Sequence, residues 1–344
     1  MRALLYDAFG GPLTVEDLPD PVPPADGVVV RVGATGVCRS DWHGWQGHDP
    51  DVRLPHVPGH ELAGTVEQVG PLVTAWRAGD RVTVPFVCAC GRCEQCRAGD
   101  GQVCTSQQQP GFTHWGSFAE RVALHHADVN LVRLPDGLSF VDAASLGCRF
   151  ATAYRAVVQQ GRVRSSEQVV VHGCGGLGLA AVQVAVDAGA RVIAVDVSGP
   201  ALDLARTFGA DAVLDATGLD ANALAAGVLD LTGGAHLSLD AVGRPSACVA
   251  SVLSLRPRGR HVQVGLLPPS QGRPVVPMDR VVGLELELLG SHGMAAASYP
   301  ELLALVAAGR LDPAALVTRT VDLDGAARAL QTVGDLPGTA VLVP

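Results

Sequence analysis

The chain has 344 residues, 48% of them hydrophobic and 17% charged, with 41 glycines and a formal net charge of -9. That length exceeds what one hydrophobic core organises and predicts two domains. The composition excludes a disordered or fibrous chain, and an acidic balance without any block of basic residues excludes phosphate-backbone binding, so no nucleic acid is expected as a partner.

All 25 basic residues are arginine. Without lysine there is no Schiff-base catalyst, no lysine-linked pyridoxal phosphate and no Walker-type phosphate loop. The opening MRALLYDAFGG has no basic stretch followed by an apolar run and a cleavage site. The apolar run at 179–195 is broken by Asp187 and Arg191 before it could span a bilayer. A cytoplasmic protein with no membrane partner is expected, and its nine cysteines read as reduced thiols available to metals.

From Met1 to about Ala144, short β-branched runs such as GVVVRVGATG and DRVTVPFV alternate with Pro and Gly, as in a compact β-rich domain. Within it, CACGRCEQCRAGDGQVC at 88–104 carries Cys90, Cys93, Cys96 and Cys104 in C-x2-C-x2-C-x7-C spacing. Four thiolates on one loop satisfy tetrahedral zinc completely and leave no open position, so this metal is structural and the chemistry lies elsewhere. Cys88 falls outside the spacing and is spare.

From Glu167 the texture becomes strand, glycine turn, helix, strand in QVVVHGCGGLGLAAVQVAVDAGARVIAVD. Gly173, Gly175 and Gly178 form G-x-G-x-x-G directly after a strand and before a helix, and with Gly176 and Leu177 they make a pyrophosphate-binding turn. Asp196 ends the next strand, where a carboxylate accepts from the adenine ribose and repels a 2′-phosphate, which favours NAD. Cys174, inside the turn, has no partner in sequence. The runs DAVLDA, HLSLDAVG and RHVQVGLL, separated by alanine-rich helices, extend a doubly wound parallel sheet. In the tail, PELLALVAAGRL is an amphipathic helix and TAVLVP a strand returning to the first domain.

Cys38 in CRSDWH, His60 with Glu61 in PGHE, and Cys148 in SLGCRFATAY each have a bland reading as a core thiol or a satisfied histidine, and spacing does not join them. In this order, with the four-cysteine loop and the nucleotide turn, the motifs resemble over essentially the full length the zinc-dependent medium-chain alcohol dehydrogenases of the medium-chain dehydrogenase/reductase superfamily. The resemblance implies an α/β protein with a GroES-like β-rich catalytic domain (1–149 and 289–344, structural zinc loop 88–104). A Rossmann doubly wound parallel-sheet NAD-binding domain would span 150–288, with the active site in the cleft between the two.

It further implies Cys38, His60 and Cys148 as ligands of a catalytic zinc, with the fourth position left to water or substrate. Glu61 would approach the metal during ligand exchange, and Asp41 would orient the His60 ring through its other nitrogen. Ser40 and His43 would relay the proton, Arg39 would contact the pyrophosphate, and Val264 with Gly265 would hold the nicotinamide carboxamide. Related polyol and threonine dehydrogenases often carry a carboxylate at the third ligand, so Cys148 favours alcohols. Ala201 and Thr339 stand where family members often have a lysine and an arginine, which weakens the expected grip on the cofactor.

The activity implied is reversible hydride transfer between a primary or secondary alcohol and NAD, giving an aldehyde or ketone. The alternative is a polyol, amino-alcohol or ketone-selective secondary alcohol dehydrogenase on the same scaffold. The family also implies a homotetramer, or else a homodimer. Trp42, Trp45, Phe86, Phe112 and Trp115 concentrate near the ligand motifs. They either line an apolar channel for medium-chain or aromatic alcohols or pack the core as aromatic residues do elsewhere.

Overall fold

The computed structural model describes residues 1–268 and 272–344. The chain divides into two units, Met1–Ala151 with Gly293–Pro344, and Thr152–His292.

In the first unit, β1 (Arg2–Leu5) and β2 (Thr14–Asp17) form an antiparallel pair. β3 (Val28–Gly36), β4 (Glu61–Val69), β5 (Arg81–Thr83), β6 (Arg121–Leu124) and β7 (Val132–Arg133) build the main sheet. Valine and leucine side chains at 28, 30, 32, 62, 66, 82, 122 and 124 fill one core beneath it, as branched residues do on a pleated surface. The antiparallel register of β3 and β4 sets Gly36 opposite Glu61, and that pair begins the site described below.

The second unit holds β8 (Gln168–His172), β9 (Arg191–Asp196), β10 (Ala212–Asp215), β11 (Ala235–Asp240), β12 (Leu255–Gln263) and β13 (Glu287–Gly290). Among the described residues they form one six-stranded parallel sheet in the order β10-β9-β8-β11-β12-β13. This is the doubly wound sheet that the apolar runs predict. Its order reverses between β8 and β11, the switch point at which such sheets bind ligands.

The chain then returns through the helix Tyr299–Ala307, β14 (Val317–Val321), the helix Leu323–Gln331 and β15 (Thr339–Leu342). β15 pairs antiparallel with β3 at Val341↔Gly36 and Leu342↔Thr35, so the last strand completes the first unit's sheet. Asp322 caps the helix Leu323–Gln331 through Gly325 N–H at 2.9 Å. The buried face of this helix, Leu323, Ala326, Ala329 and Leu330, shares a core with Tyr6, Trp45, Phe112 and Phe118. No helix among the described residues is long and apolar enough to cross a membrane.

Two buried imidazoles make the second unit sensitive to acid. His172, at the end of β8, is 1% exposed, and neither of its ring nitrogens has a hydrogen-bond partner among the described residues. Burial, and then repulsion from His261, lowers its pKa to about 3. Burial lowers His261 to about 4, although Ser251 Oγ lies 2.7 Å from its Nδ1. In the unfolded chain both titrate near ~6.5, so below that pH the unfolded state binds more protons. Above it these groups add no pH dependence. Stability is therefore expected to fall as pH drops from 6.5 toward the folded values, by up to about 1.4 kcal/mol per pH unit per histidine. Urea unfolding midpoints at pH 7 and pH 5 should show the loss, and His172→Leu should make it shallower.

Candidate active site

The helix Arg39–Trp45 begins at Cys38, whose backbone N–H donates to Asp41 Oδ2 at 3.1 Å, a bond that closes the helix start. The other oxygen of this carboxylate reaches the PGHE loop. It accepts from Gly59 N–H at 3.0 Å and lies 2.8 Å from His60 Nδ1. Asp41 is 1% exposed, so one buried carboxylate ties two separate segments together. With Nδ1 donating to Asp41, the free lone pair of the His60 ring is on Nε2.

Cys148 comes from the segment Leu146–Phe150, where the bond from Phe150 N–H to Ser145 O, 3.2 Å, widens the helix to a π turn. Such turns are short and recur at functional sites. Its displaced carbonyls find other donors. Gly147 O accepts from Phe86 N–H at 3.0 Å and from the Tyr299 hydroxyl at 3.3 Å, while Leu146 O accepts from the same hydroxyl at 3.2 Å. Tyr299 is fully buried.

The donor atoms of Cys38, His60, Glu61 and Cys148 all lie within 4.8 Å of one another. His60 and Glu61 are buried and the two cysteines half-buried. A hydrogen bond from the Cys148 thiol holds Cys38 well below the usual thiol range against the opposing effect of burial, and Cys148 is raised correspondingly. Burial works against a charged His60, yet Asp41 and Cys38 hold its pKa well above the usual imidazole value. Burial pushes Glu61 up to about 8, against the pull of Arg149. Both Glu61 oxygens lack a hydrogen-bond partner among the described residues. Two thiols, an imidazole and a carboxylate that makes an ion pair with Arg149 but accepts no hydrogen bond from the described residues form a donor set for a borderline-soft dication such as zinc.

The four-cysteine loop forms a second group, also with its donors within 4.8 Å. Sulfur separations are 4.0 Å for Cys90–Cys96, 3.4 Å for Cys93–Cys96 and 3.7 Å for Cys93–Cys104. They bracket the edge of roughly 3.8 Å of a tetrahedron with zinc–sulfur bonds of about 2.3 Å. Backbone N–H groups of Cys90 and Ser106 donate to Cys104 Sγ at 3.3 and 3.4 Å. Cys88 stands apart, fully buried in the sheet core, with its thiol pushed up to about 12 by burial.

Other expected residues spread more widely. Ser40 and His43 lie half-buried on the Arg39–Trp45 helix, and His43 Nδ1 is 2.9 Å from His48 Nδ1. Arg39 sits over the half-buried Trp42 ring, 4.3 Å from its centroid, and its Nη1 donates to Val333 O at 2.8 Å. Phe86 and Phe112 flank His60, with ring centroids 6.1 and 5.3 Å away. Trp45 is a core residue, 8% exposed, with Nε1 donating to Gly11 O. Trp115 lines a pocket of about 430 Å³ with His56 and His114 that contains none of the four clustered donors.

In the second unit Gly173 has φ +95°, a left-handed conformation that favours glycine, and a Cβ on Gly178 would lie 1.7 Å from Gly173 O. Gly175 caps the helix Gly176–Asp187 without a side-chain bond, which leaves N–H groups of Gly175, Gly176 and Leu177 for an anion. Asp196 accepts from Cys174 N–H at 2.6 Å and Ser198 N–H at 2.9 Å, which holds its carboxylate beside the turn. Val264 and Gly265 follow the end of β12 and both donate to Asp240 O, at 3.0 and 2.8 Å. Ala201 and Thr339 are buried, and the Thr339 hydroxyl has no partner among the described residues.

Three further residues hold these segments in place. Asp240 binds Val242 N–H, Gly243 N–H and the Gln263 amide at the carboxyl ends of β11 and β12. A polar residue ending an apolar strand, as in HLSLDAVG, is the signal that could have found it. Tyr299 and Arg149 act on partners too distant in sequence for any local pattern to reveal.

Two family models match the chain: the alcohol dehydrogenase GroES-like domain over residues 24–136 and the zinc-binding dehydrogenase over residues 176–308. An alcohol dehydrogenase of Geobacillus stearothermophilus is 35% identical over 315 residues, covering 90% of each chain. A NAD-dependent alcohol dehydrogenase of Sulfurisphaera tokodaii is 33% identical over 357 residues, covering 100% of each. The crystal structure of the alcohol dehydrogenase from the archaeon Aeropyrum pernix covers 100% of both chains, with a TM-score of 0.90 at 31% identity. The chain belongs to the zinc-dependent medium-chain alcohol dehydrogenase family, with a GroES-like and a Rossmann domain.

The closed cysteine group gives a direct expectation. Cys96→Ser should release one equivalent of zinc and lower the thermal midpoint by on the order of 10 °C, since metal binding at such a loop is folding free energy. Elemental analysis with calorimetry checks both; unchanged metal content and midpoint would contradict the role.

Proposed function

We propose that the protein is a zinc-dependent alcohol dehydrogenase that transfers hydride reversibly between a primary or secondary alcohol and NAD, with two zinc ions per chain. The convergence of Cys38, His60 and Cys148, from three separate segments, with all donors within 4.8 Å, carries this reading. These three residues would hold the catalytic ion and Cys90, Cys93, Cys96 and Cys104 the structural one. Bound zinc supplies a Lewis acid that eases loss of the alcohol proton, and NAD supplies the hydride acceptor.

The rest falls to the chain's own side chains. Asp41 fixes the tautomer and direction of His60. Ser40 and His43 carry the proton away from the substrate hydroxyl. Burial, and then repulsion from His48 and Arg39, keeps His43 below the usual imidazole value, so it is neutral near pH 7 and ready to accept. Phe86 and Phe112 wall the His60 side with apolar surface, which excludes water and suits medium-chain or aromatic alcohols. The turn Gly173 to Gly178 would hold the pyrophosphate with Arg39, Asp196 the ribose hydroxyls, and the backbone at Val264 and Gly265 the carboxamide. Family resemblance adds a cytoplasmic homotetramer, with a homodimer as the other form that light scattering would distinguish.

Following NADH formation with benzyl alcohol, hexanol and ethanol tests the reading. Specificity constants for the two larger alcohols should exceed that for ethanol by about tenfold or more. Cys38→Ser should lower kcat/KM by on the order of 10³-fold through loss of a metal ligand. Wild-type turnover in that variant would contradict the assignment. Asp196→Ala should raise the ratio of NADP to NAD use, because it removes the charge that opposes a 2′-phosphate.

A further inference from the structure

Arg149 directly follows Cys148 and is only 5% exposed. A cation buried beside a site built to attract a dication is unfavourable unless a specific partner compensates it. That partner is Glu61, whose Oε2 lies 3.2 Å from Arg149 Nη2, with side-chain exposures of 6% for the arginine and 0% for the glutamate. The guanidinium is fixed in turn by donating to Val37 O, next to Cys38.

The Glu61 carboxylate thus has two neighbours that could claim it. One is the donor group of Cys38, His60 and Cys148, all within 4.8 Å of it, which would hold a cation; the other is the Arg149 guanidinium, which also interacts with the Cys38 sulfur. The backbone makes room for it on the arginine pair's terms: a Cβ on Gly36, its partner across the β3–β4 ladder, would lie 2.1 Å from Glu61 Oε2. The π turn lets consecutive residues, Cys148 and Arg149, both approach this carboxylate. In a four-coordinate site with three protein ligands, a fourth carboxylate ligand would take the place left for a substrate oxygen, whereas a carboxylate held by the arginine would leave it open.

We infer that Arg149 is a positioning residue that holds the Glu61 carboxylate off the catalytic metal and so keeps its fourth coordination position available to substrate. The inference rests on the metal assignment proposed above for Cys38, His60 and Cys148. It concerns only what Arg149 does to the neighbouring carboxylate.

The cobalt-substituted full-length protein provides the readout, with imidazole as an exogenous ligand and the visible d–d bands followed during titration. Arg149→Met should alter the bands before any imidazole is added and weaken imidazole binding by about tenfold or more, as expected when the competent state becomes a minor one. The double variant Arg149→Met/Glu61→Gln should restore both, a rescue that a merely structural role for Arg149 would not give. Arg149→Lys, which keeps the charge, should bind imidazole within about threefold of wild type.

Glu61→Gln alone provides a test that does not depend on Arg149→Met folding. Its imidazole affinity should match wild type, because the carboxylate is already off the metal. A tenfold gain in that variant, or an Arg149→Met protein with unaltered bands and affinity, overturns the inference while leaving the metal assignment standing. A wild-type cobalt protein whose bands do not respond to imidazole overturns the metal assignment and the inference with it.

Discussion

The buried Asp41 carboxylate is the constraint on which the site depends. It is removed from water, so it must find its hydrogen bonds inside the protein, and it finds them on Cys38 N–H, Gly59 N–H and His60 Nδ1. Those three bonds join the start of one helix to a loop that leads into β4. They therefore set the distance between a thiol and an imidazole, and they decide which ring nitrogen remains a donor of electrons. Satisfying one carboxylate and bringing two of the clustered donors together are here the same structural event.

The remaining donors arrive by equally specific means. The pairing of β3 with β4 brings Glu61 to the edge of the group. Cys148 is delivered by a turn wider than an α-helix, whose displaced carbonyls are taken up by Tyr299 from the returning part of the chain. The C-terminal segment thus both completes the sheet, through β15 on β3, and secures the third sulfur. In the second unit Asp240 plays a comparable part, holding the backbone that follows β11 and β12 at the carboxyl ends of the sheet.

What could be read from the sequence follows the range of the interactions. The four-cysteine loop and the glycine turn were legible because their residues are neighbours, and local spacing already encodes a tetrahedral set or a strand–turn–helix anion site. The parallel sheet was legible because each buried strand is a continuous apolar run. Cys38, His60 and Cys148 could be joined only by likeness to a family, since nothing local in one segment requires another. Arg149 with Glu61, and Tyr299 with Leu146 and Gly147, left no trace because a buried polar pair is defined by three-dimensional packing alone. The aromatic residues illustrate the same limit: Phe86 and Phe112 flank His60, Phe112 also shares the core with Trp45, and Trp115 lines a different pocket.

The two donor groups differ in kind, one closed by four sulfurs and one built from two sulfurs with lighter donors, and would hold metal in different ways. X-ray absorption at the zinc edge of the purified protein tests this most directly. With both groups loaded, the first coordination sphere should average about three sulfurs near 2.3 Å and one nitrogen or oxygen near 2.0 Å per zinc. A sphere of sulfur alone, with one zinc per chain, would contradict it, because the loop would then be the only metal site in the protein.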